Sequence, residues 1–228
     1  MKIKWGSLVV DGRNKIGGHV ASKNRFGAYI RTKVTPSNPR TPAQIAERNR
    51  LASLSSAFRS LTAEQIAAWN DAAKLYAKTD IFGDLRINTG LQLFVALNAN
   101  LLQIGAATIN DPPAPTNAEV VFVQELSVSK TLNKIELTLS DDTPATSVMI
   151  VKATPALSPG INFVKTELRK IGTVPANSST PVDIYAMYFG KFGAIGDVGQ
   201  KVFVEVYFVD TATGIASVPQ KISAIITV

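Results

Sequence analysis

From residue 119 onward, apolar and polar side chains alternate with a period of two. Ile135, Leu137 and Leu139 interleave with Lys134, Glu136 and Thr138, and Val202, Val204, Val206 and Phe208 interleave with Phe203, Glu205 and Tyr207. This pattern predicts strands near residues 119–128, 133–140, 147–153, 163–173, 180–189, 201–209 and 217–227. Turn signals separate them at Asp141-Asp142, Ser158-Pro159-Gly160, Asn177-Ser178-Ser179 and Asp210-Thr211-Ala212-Thr213-Gly214. About seven strands in about 110 residues predict an antiparallel β-sandwich.

The earlier half follows other periods. Thr41 with Gln44 three residues on is a capping-box pattern with Pro42 at the first helical position, so a helix should run to about Ser60 with Ile45, Leu51, Leu54 and Phe58 as its apolar members. Thr62 and Gln65 repeat the box, Leu61 and Ile66 are placed as a hydrophobic staple, and Ile66, Trp69, Ala73 and Tyr76 form one stripe. The short Ser60-Leu61 connection predicts a helical hairpin. A third helix is predicted from Thr89 or Gly90 to Ile104, stopped by Gly105, with Leu91, Phe94, Val95, Leu101 and Leu102 toward a core. Asn98 shares that face, and a buried Asn needs hydrogen-bond partners, so it is expected to tie the helix to the segment that follows. Residues 3–35 read as strands and turns, with turn signals at Val9-Val10-Asp11-Gly12 and Gly17-Gly18 and a strand over Tyr29–Val34. Pro36, Pro39 and Pro42 then keep the chain extended.

Three prolines in Asp111-Pro112-Pro113-Ala114-Pro115-Thr116 fit neither a helix interior nor a central strand. Three segments are therefore expected: residues 1–110 as a basic arm and helical domain, 111–118 as a stiff linker, and 119–228 as the sandwich. Charge divides at the same place. The net +7 of the 228 residues combines +9 over residues 1–110 (fifteen basic, six acidic) with −2 over 111–228 (nine basic, eleven acidic). Nine basic side chains and one acidic one, Glu47, lie between Arg13 and Arg50. Such a field favours an acidic partner, either nucleic acid or an acidic protein surface. The apolar fraction of 46% and charged fraction of 18% fit a globular protein. Cysteine is absent, which excludes disulfides and thiolate metal sites and fits synthesis in a reducing cytoplasm. The start lacks the apolar core of a signal peptide, and no apolar run nears the roughly 20 residues of a membrane helix, so a soluble protein is expected.

Catalytic patterns fail where their chemistry is strict. The one histidine, His19, has cations and no carboxylate around it, and no serine sits in a Gly-x-Ser-x-Gly elbow. Gly12 and Gly17 have phosphate-loop spacing, but Gly18 and His19 stand where the lysine and hydroxyl would be needed. Gly193, Gly196 and Gly199 precede a strand instead of opening a helix, so they serve a loop. The scattered carboxylates assemble no metal site. Asn177-Ser178-Ser179 matches a glycosylation acceptor without a secretion signal to give it meaning. The expectation is no enzyme, no cofactor and no small-molecule substrate. What remains is a binding surface of Arg13, Lys15, Lys23, Arg25, Phe26, Tyr29, Arg31, Lys33, Arg40, Arg48 and Arg50, in which cations track negative groups and the two rings stack.

Two resemblances extend this reading. Gly17-Gly18, Ser22-Lys23-Asn24-Arg25, Gly27-Ala28-Tyr29, Asn38-Pro39-Arg40-Thr41, Gln44, Arg48, Leu61-Thr62, Trp69, Phe94, Asn98 and Pro112-Pro113 appear in order over residues 5–115. Together they resemble the opening of uncharacterised proteins of tailed phages and prophages. Val202–Val209, a turn with Gly214, and Ser217-Val218-Pro219 look like the last hairpin of a fibronectin type III domain. The resemblances imply an α+β first half, with an extended basic β arm and about three helices, followed by an all-β Ig/fibronectin III-like sandwich. They also imply a non-enzymatic virion structural protein, a capsid-associated or head, neck or tail-junction component. It would be made in the host cytoplasm and act in multiple copies or a homo-oligomeric ring, away from membranes. The arm is then expected to dock in an acidic groove of another virion protein, adding a strand through Tyr29–Val34. The alternative is an intracellular nucleic-acid-binding protein that uses the same basic half.

Overall fold

Gly17 and Gly18 turn the chain back on itself, and the strands on either side pair antiparallel: β1 (Asn14–Ile16) with β2 (His19–Asn24), and β2 with β3 (Gly27–Thr32). The computed structural model describes residues 1–7, 11–117 and 119–228. These fall into two compact units, Met1–Asn49 with Ala77–Ile87, and Arg50–Tyr76 with Asn88–Val228. Val9 and Val10 of the expected Asp-Gly turn lie outside the described residues.

In the first unit, the outer edge of β3 is closed by the chain's own start. Ile3 N–H donates to the Ala28 carbonyl at 3.0 Å and Ile30 N–H to the Met1 carbonyl at 2.8 Å. Two corrections follow. Residues 14–32 form a sheet of their own and not an extended arm, so extension is confined to the stretch after β3 and before Thr41. Strand addition along Tyr29–Val34 is blocked at 28–30, because residues 1–3 already hold those backbone groups. The strands β4 (Lys78–Thr79) and β5 (Leu85–Arg86) complete this unit as a short hairpin. Among its described residues only Ala21 and Ala28 are buried apolar side chains, whereas Ile16, Val34, Ile81 and Leu85 are exposed.

Helix α1 (Pro42–Arg59) begins in the first unit and ends in the second. Gln44 N–H donates to the Thr41 hydroxyl at 3.3 Å, as its sequence pattern predicts. Of its four expected core members, Leu54 and Phe58 are buried, but Ile45 and Leu51 are exposed. Both reciprocal bonds of the capping box are present at the start of α2 (Ala63–Leu75), from Thr62 and Gln65, and again at α3 (Gly90–Ile104), from Thr89 and Gln92. Gly105 ends α3 in the left-handed conformation. The buried face of α3 is Gly90, Leu93, Phe94, Leu97, Asn98 and Leu101, so Leu93 and Leu97 replace the expected Leu91 and Leu102, which are partly exposed. Trp69 meets the ring of Phe94 edge-on at 5.2 Å, and Phe58 tilts against Phe94 at 5.3 Å. Asn98 ties α3 to Ile109, accepting from its N–H at 2.7 Å and donating to its carbonyl at 3.1 Å.

The proline-rich segment is strapped along α2. Trp69 donates to the Asn110 carbonyl at 2.7 Å, Gln65 to the Asp111 carboxylate at 3.0 Å, and Tyr76 to the Pro113 carbonyl at 3.1 Å. The compact units therefore do not divide at 111–118, and helices α2 and α3 share a unit with the strands that follow.

Those strands are β6 (Val123–Ser129), β7 (Lys134–Leu139), β8 (Ser147–Ala153), β9 (Arg169–Val174), β10 (Val182–Asp183), β11 (Lys201–Asp210) and β12 (Gln220–Ile225). They form two antiparallel sheets, ordered β10-β7-β6 and β12-β11-β8-β9. Their inward residues, among them Ile135, Leu137, Met149, Val151, Val204, Val206 and Phe208, make one buried core. The chain is thus mixed α+β with a sandwich-like carboxyl-terminal part. The strand expected at 180–189 is a correction: it ends after Asp183 and becomes helix α4 (Tyr185–Phe192), because Ile184, Tyr188 and Phe192 recur at helical spacing against the core. The strand expected from 163 begins only at Arg169.

Candidate docking surface

Pairing register sorts the first unit's sheet into two faces. Lys15, Val20 and Arg31 lie across from one another, as do Ser22 and Tyr29, so these side chains and Asn24 share one face. Lys23 projects from the other face, opposite Ala28. A groove of about 540 Å3 is lined by Arg13, Asn14, Val20, Ser22, Lys23, Asn24 and Arg31. A second recess of about 170 Å3 adjoins it through Asn24 and is lined by Lys2, Phe26, Gly27, Tyr29, Asp80 and Arg86.

Phe26 sits in the β2–β3 turn, its N–H held by the Asn24 side chain at 2.9 Å. Two guanidinium groups lie against its ring, Arg25 at 5.1 Å and Arg86 at 4.4 Å from the centroid. Cation–π contact fixes these planes while their N–H edges stay available for an anion. The hairpin carrying Arg86 is ordered by Asp80, whose carboxylate accepts from the Phe82 N–H at 2.7 Å and the Asp84 N–H at 3.1 Å and pairs with Lys2.

The hydrogen bond from Lys2 holds the Asp80 carboxyl below the usual carboxylate range, with the Phe82 and Asp84 amides adding to it against desolvation. A folded-state pKa below the unfolded value means that this tie contributes stability above the ordinary carboxylate pKa of about 4 and loses it as pH falls through the lowered value. Amide exchange at Phe82 and Asp84 should therefore accelerate in acid beyond its intrinsic pH trend. Asp80→Ala, which leaves no side-chain acceptor, should show fast exchange there at every pH; slow exchange in that variant would remove the role given to the carboxylate.

The structure brings together Arg13, Lys15, Arg25, Phe26, Tyr29 and Arg31 from the sequence-predicted set. Arg13 is already paired with Asp11 at 3.0 Å. Lys23 reaches the groove from the strand edge. Lys33 uses its backbone N–H on the Gly18 carbonyl, Arg40 has a left-handed φ of 51°, and Arg48 donates to the Asn38 side chain at 2.8 Å. Arg50 is half-buried on α1, belongs to the second unit and lines neither recess. Sequence reasoning missed Arg86, Lys2 and Asp80. The Asp80–Asp84 stretch with Gly83 carried a turn signal, but no periodicity says where a short hairpin lands.

Charge follows the compact units closely. The first unit has twelve basic and four acidic side chains, net +8; the second has twelve and thirteen, net −1. Among the described residues, no group of three His, Cys, Asp or Glu side chains could hold a metal ion, and no helix is long and apolar enough to cross a membrane. No protein-family model, curated protein or solved structure matches the chain.

Proposed function

We propose that this chain is a non-enzymatic structural component of a tailed-phage particle, placed at a head, neck or tail junction, and that its first unit is the docking module. The observation that carries this reading is the coincidence of charge and incomplete burial. A unit of 60 residues holds a net +8 and buries only two apolar side chains among its described residues. Chains of this size are marginal even with a full core, so such a unit gains much of its order from a partner. The second unit supplies the anchored body, and its sandwich is read as fibronectin type III-like. A three-stranded sheet β10-β7-β6 facing a four-stranded sheet β12-β11-β8-β9, joined mostly by sequential antiparallel pairings, supports that assignment. Mass spectrometry of purified particles tests the proposal. The chain should be recovered in multiple copies per particle after nuclease and salt washing; recovery only from infected-cell lysate would end this reading.

A further inference from the structure

From the sheet face of the first unit we infer a partner of particular chemistry: an extended, acidic segment of another protein, lying along β2 from the Arg31 groove to the Arg25–Phe26–Arg86 clamp. This deepens the docking role proposed above and rests on it. The two recesses share Asn24 and so adjoin; Val20, Ser22, Asn24, Tyr29 and Arg31 of their linings lie on one face, and Lys23 reaches the groove from the other. Six residues of β2 span about 20 Å, the length of about six residues of an extended ligand. Lys15, Lys23, Arg25, Arg31 and Arg86 make no ion pair with a carboxylate among the described residues, and two of these guanidiniums are already oriented by the Phe26 ring. A planar fork held in place suits a carboxylate bidentately and loses little entropy on binding.

Phosphates of a nucleic acid would satisfy the charges equally. An apolar side chain decides for protein. Val20, half-buried, lines the Arg31 groove on the face that also carries Lys15, Ser22 and Arg31. Aliphatic groups gain nothing from a sugar-phosphate backbone and cannot stack like aromatic rings, but they are covered readily by apolar residues alternating with the acidic ones.

The test uses the full chain and a fluorescein-labelled peptide of alternating Glu and Val, with single-stranded oligo(dT) as the competing probe. At low ionic strength the peptide should bind. Arg25→Ala with Arg86→Ala, and separately Arg31→Ala, should each weaken it about tenfold or more, whereas Lys191→Ala on α4 should leave it unchanged. Arg25→Lys with Arg86→Lys keeps the charge and should still weaken binding, because the fork is lost. Each variant is first matched to the parent by far-UV circular dichroism, and Arg31→Ala provides a second route if the paired substitution disturbs the hairpin. Absence of peptide binding, or equal losses in Lys191→Ala and the clamp variants, would overturn the inference. So would tighter binding of oligo(dT) that depends on the same arginines. The two proposals fail separately: particle recovery without peptide binding removes the acidic segment alone, and peptide binding by a chain absent from particles removes the virion role alone.

Discussion

Replacing Trp69 by Ala should destabilise the second unit by roughly 4 kcal/mol, within the range of about 3–5 kcal/mol for truncating a fully buried large aromatic. Trp69 is completely buried, its ring edge rests on Phe94, and its indole N–H reaches the Asn110 carbonyl. Three losses therefore coincide: apolar burial, the edge contact, and the partner of a carbonyl that holds the proline-rich segment against α2. Trp69→Phe keeps most of the packing and removes the N–H, so it should cost nearer to about 1 kcal/mol. Urea denaturation followed by circular dichroism measures both. A truncation effect below about 1 kcal/mol would mean that α1, α2 and α3 are not organised around this ring, since native domains have only about 5–15 kcal/mol to lose.

The strap around Trp69 also shows where sequence reading stops. Prolines 112, 113 and 115 correctly exclude helix and central strand. They do not imply a free linker. Proline lacks an N–H donor but keeps its carbonyl, and Tyr76 uses that of Pro113. Whether donors wait nearby is a tertiary fact. The capping boxes at Thr62 and Thr89 were legible because cap chemistry is complete within four residues. The strands β7 and β11 were legible because each carries its alternation alone. Helix α3 was legible as a helix but not in phase. Leu91, Leu93, Leu97, Leu101 and Leu102 surround it, and a helix with leucines on several sides does not announce which side is inward. Asn98 marked the right face. Helix α4 was read as strand because Tyr185, Tyr188, Phe189 and Phe192 have high β-propensity, and packing of Tyr188 into the sandwich core overrides it. The docking surface was half legible. Arg25 and Phe26 are neighbours in the chain, whereas Arg86 reaches the same ring from sixty residues away.

Gly214→Ala should cost roughly 3 kcal/mol and act on helices and strands together. Gly214 ends the turn between β11 and β12 with φ of 71°, a conformation that strains any side chain with a Cβ. An added Cβ would also press into the Leu97 carbonyl oxygen and lie 3.0 Å from Leu101 Cγ, both on α3. The surrounding bonds prevent an easy retreat: Asn100 donates to the Gly214 carbonyl at 2.9 Å, Gly214 N–H donates to the Asp210 carbonyl at 3.0 Å, and the Asp210 carboxylate binds the N–H groups of Ala212 and Thr213. Ile215, the next residue, is buried in the helical cluster. Gly105→Ala is the control, since it has a similar φ of 75° with open space where the Cβ would be. It should cost only the backbone strain, about 1–2 kcal/mol. The excess in Gly214→Ala then measures how firmly the β11–β12 turn is docked on α3. If these helices and strands fold as one cooperative body, thermal melts of Gly214→Ala in a Trp5→Phe background, followed by far-UV dichroism and by the fluorescence of the remaining Trp69, should shift down together. Unequal shifts, or a cost no greater than that of Gly105→Ala, would instead show that residues 119–228 fold on their own and that the sequence-predicted boundary at 111–118 is the functional one.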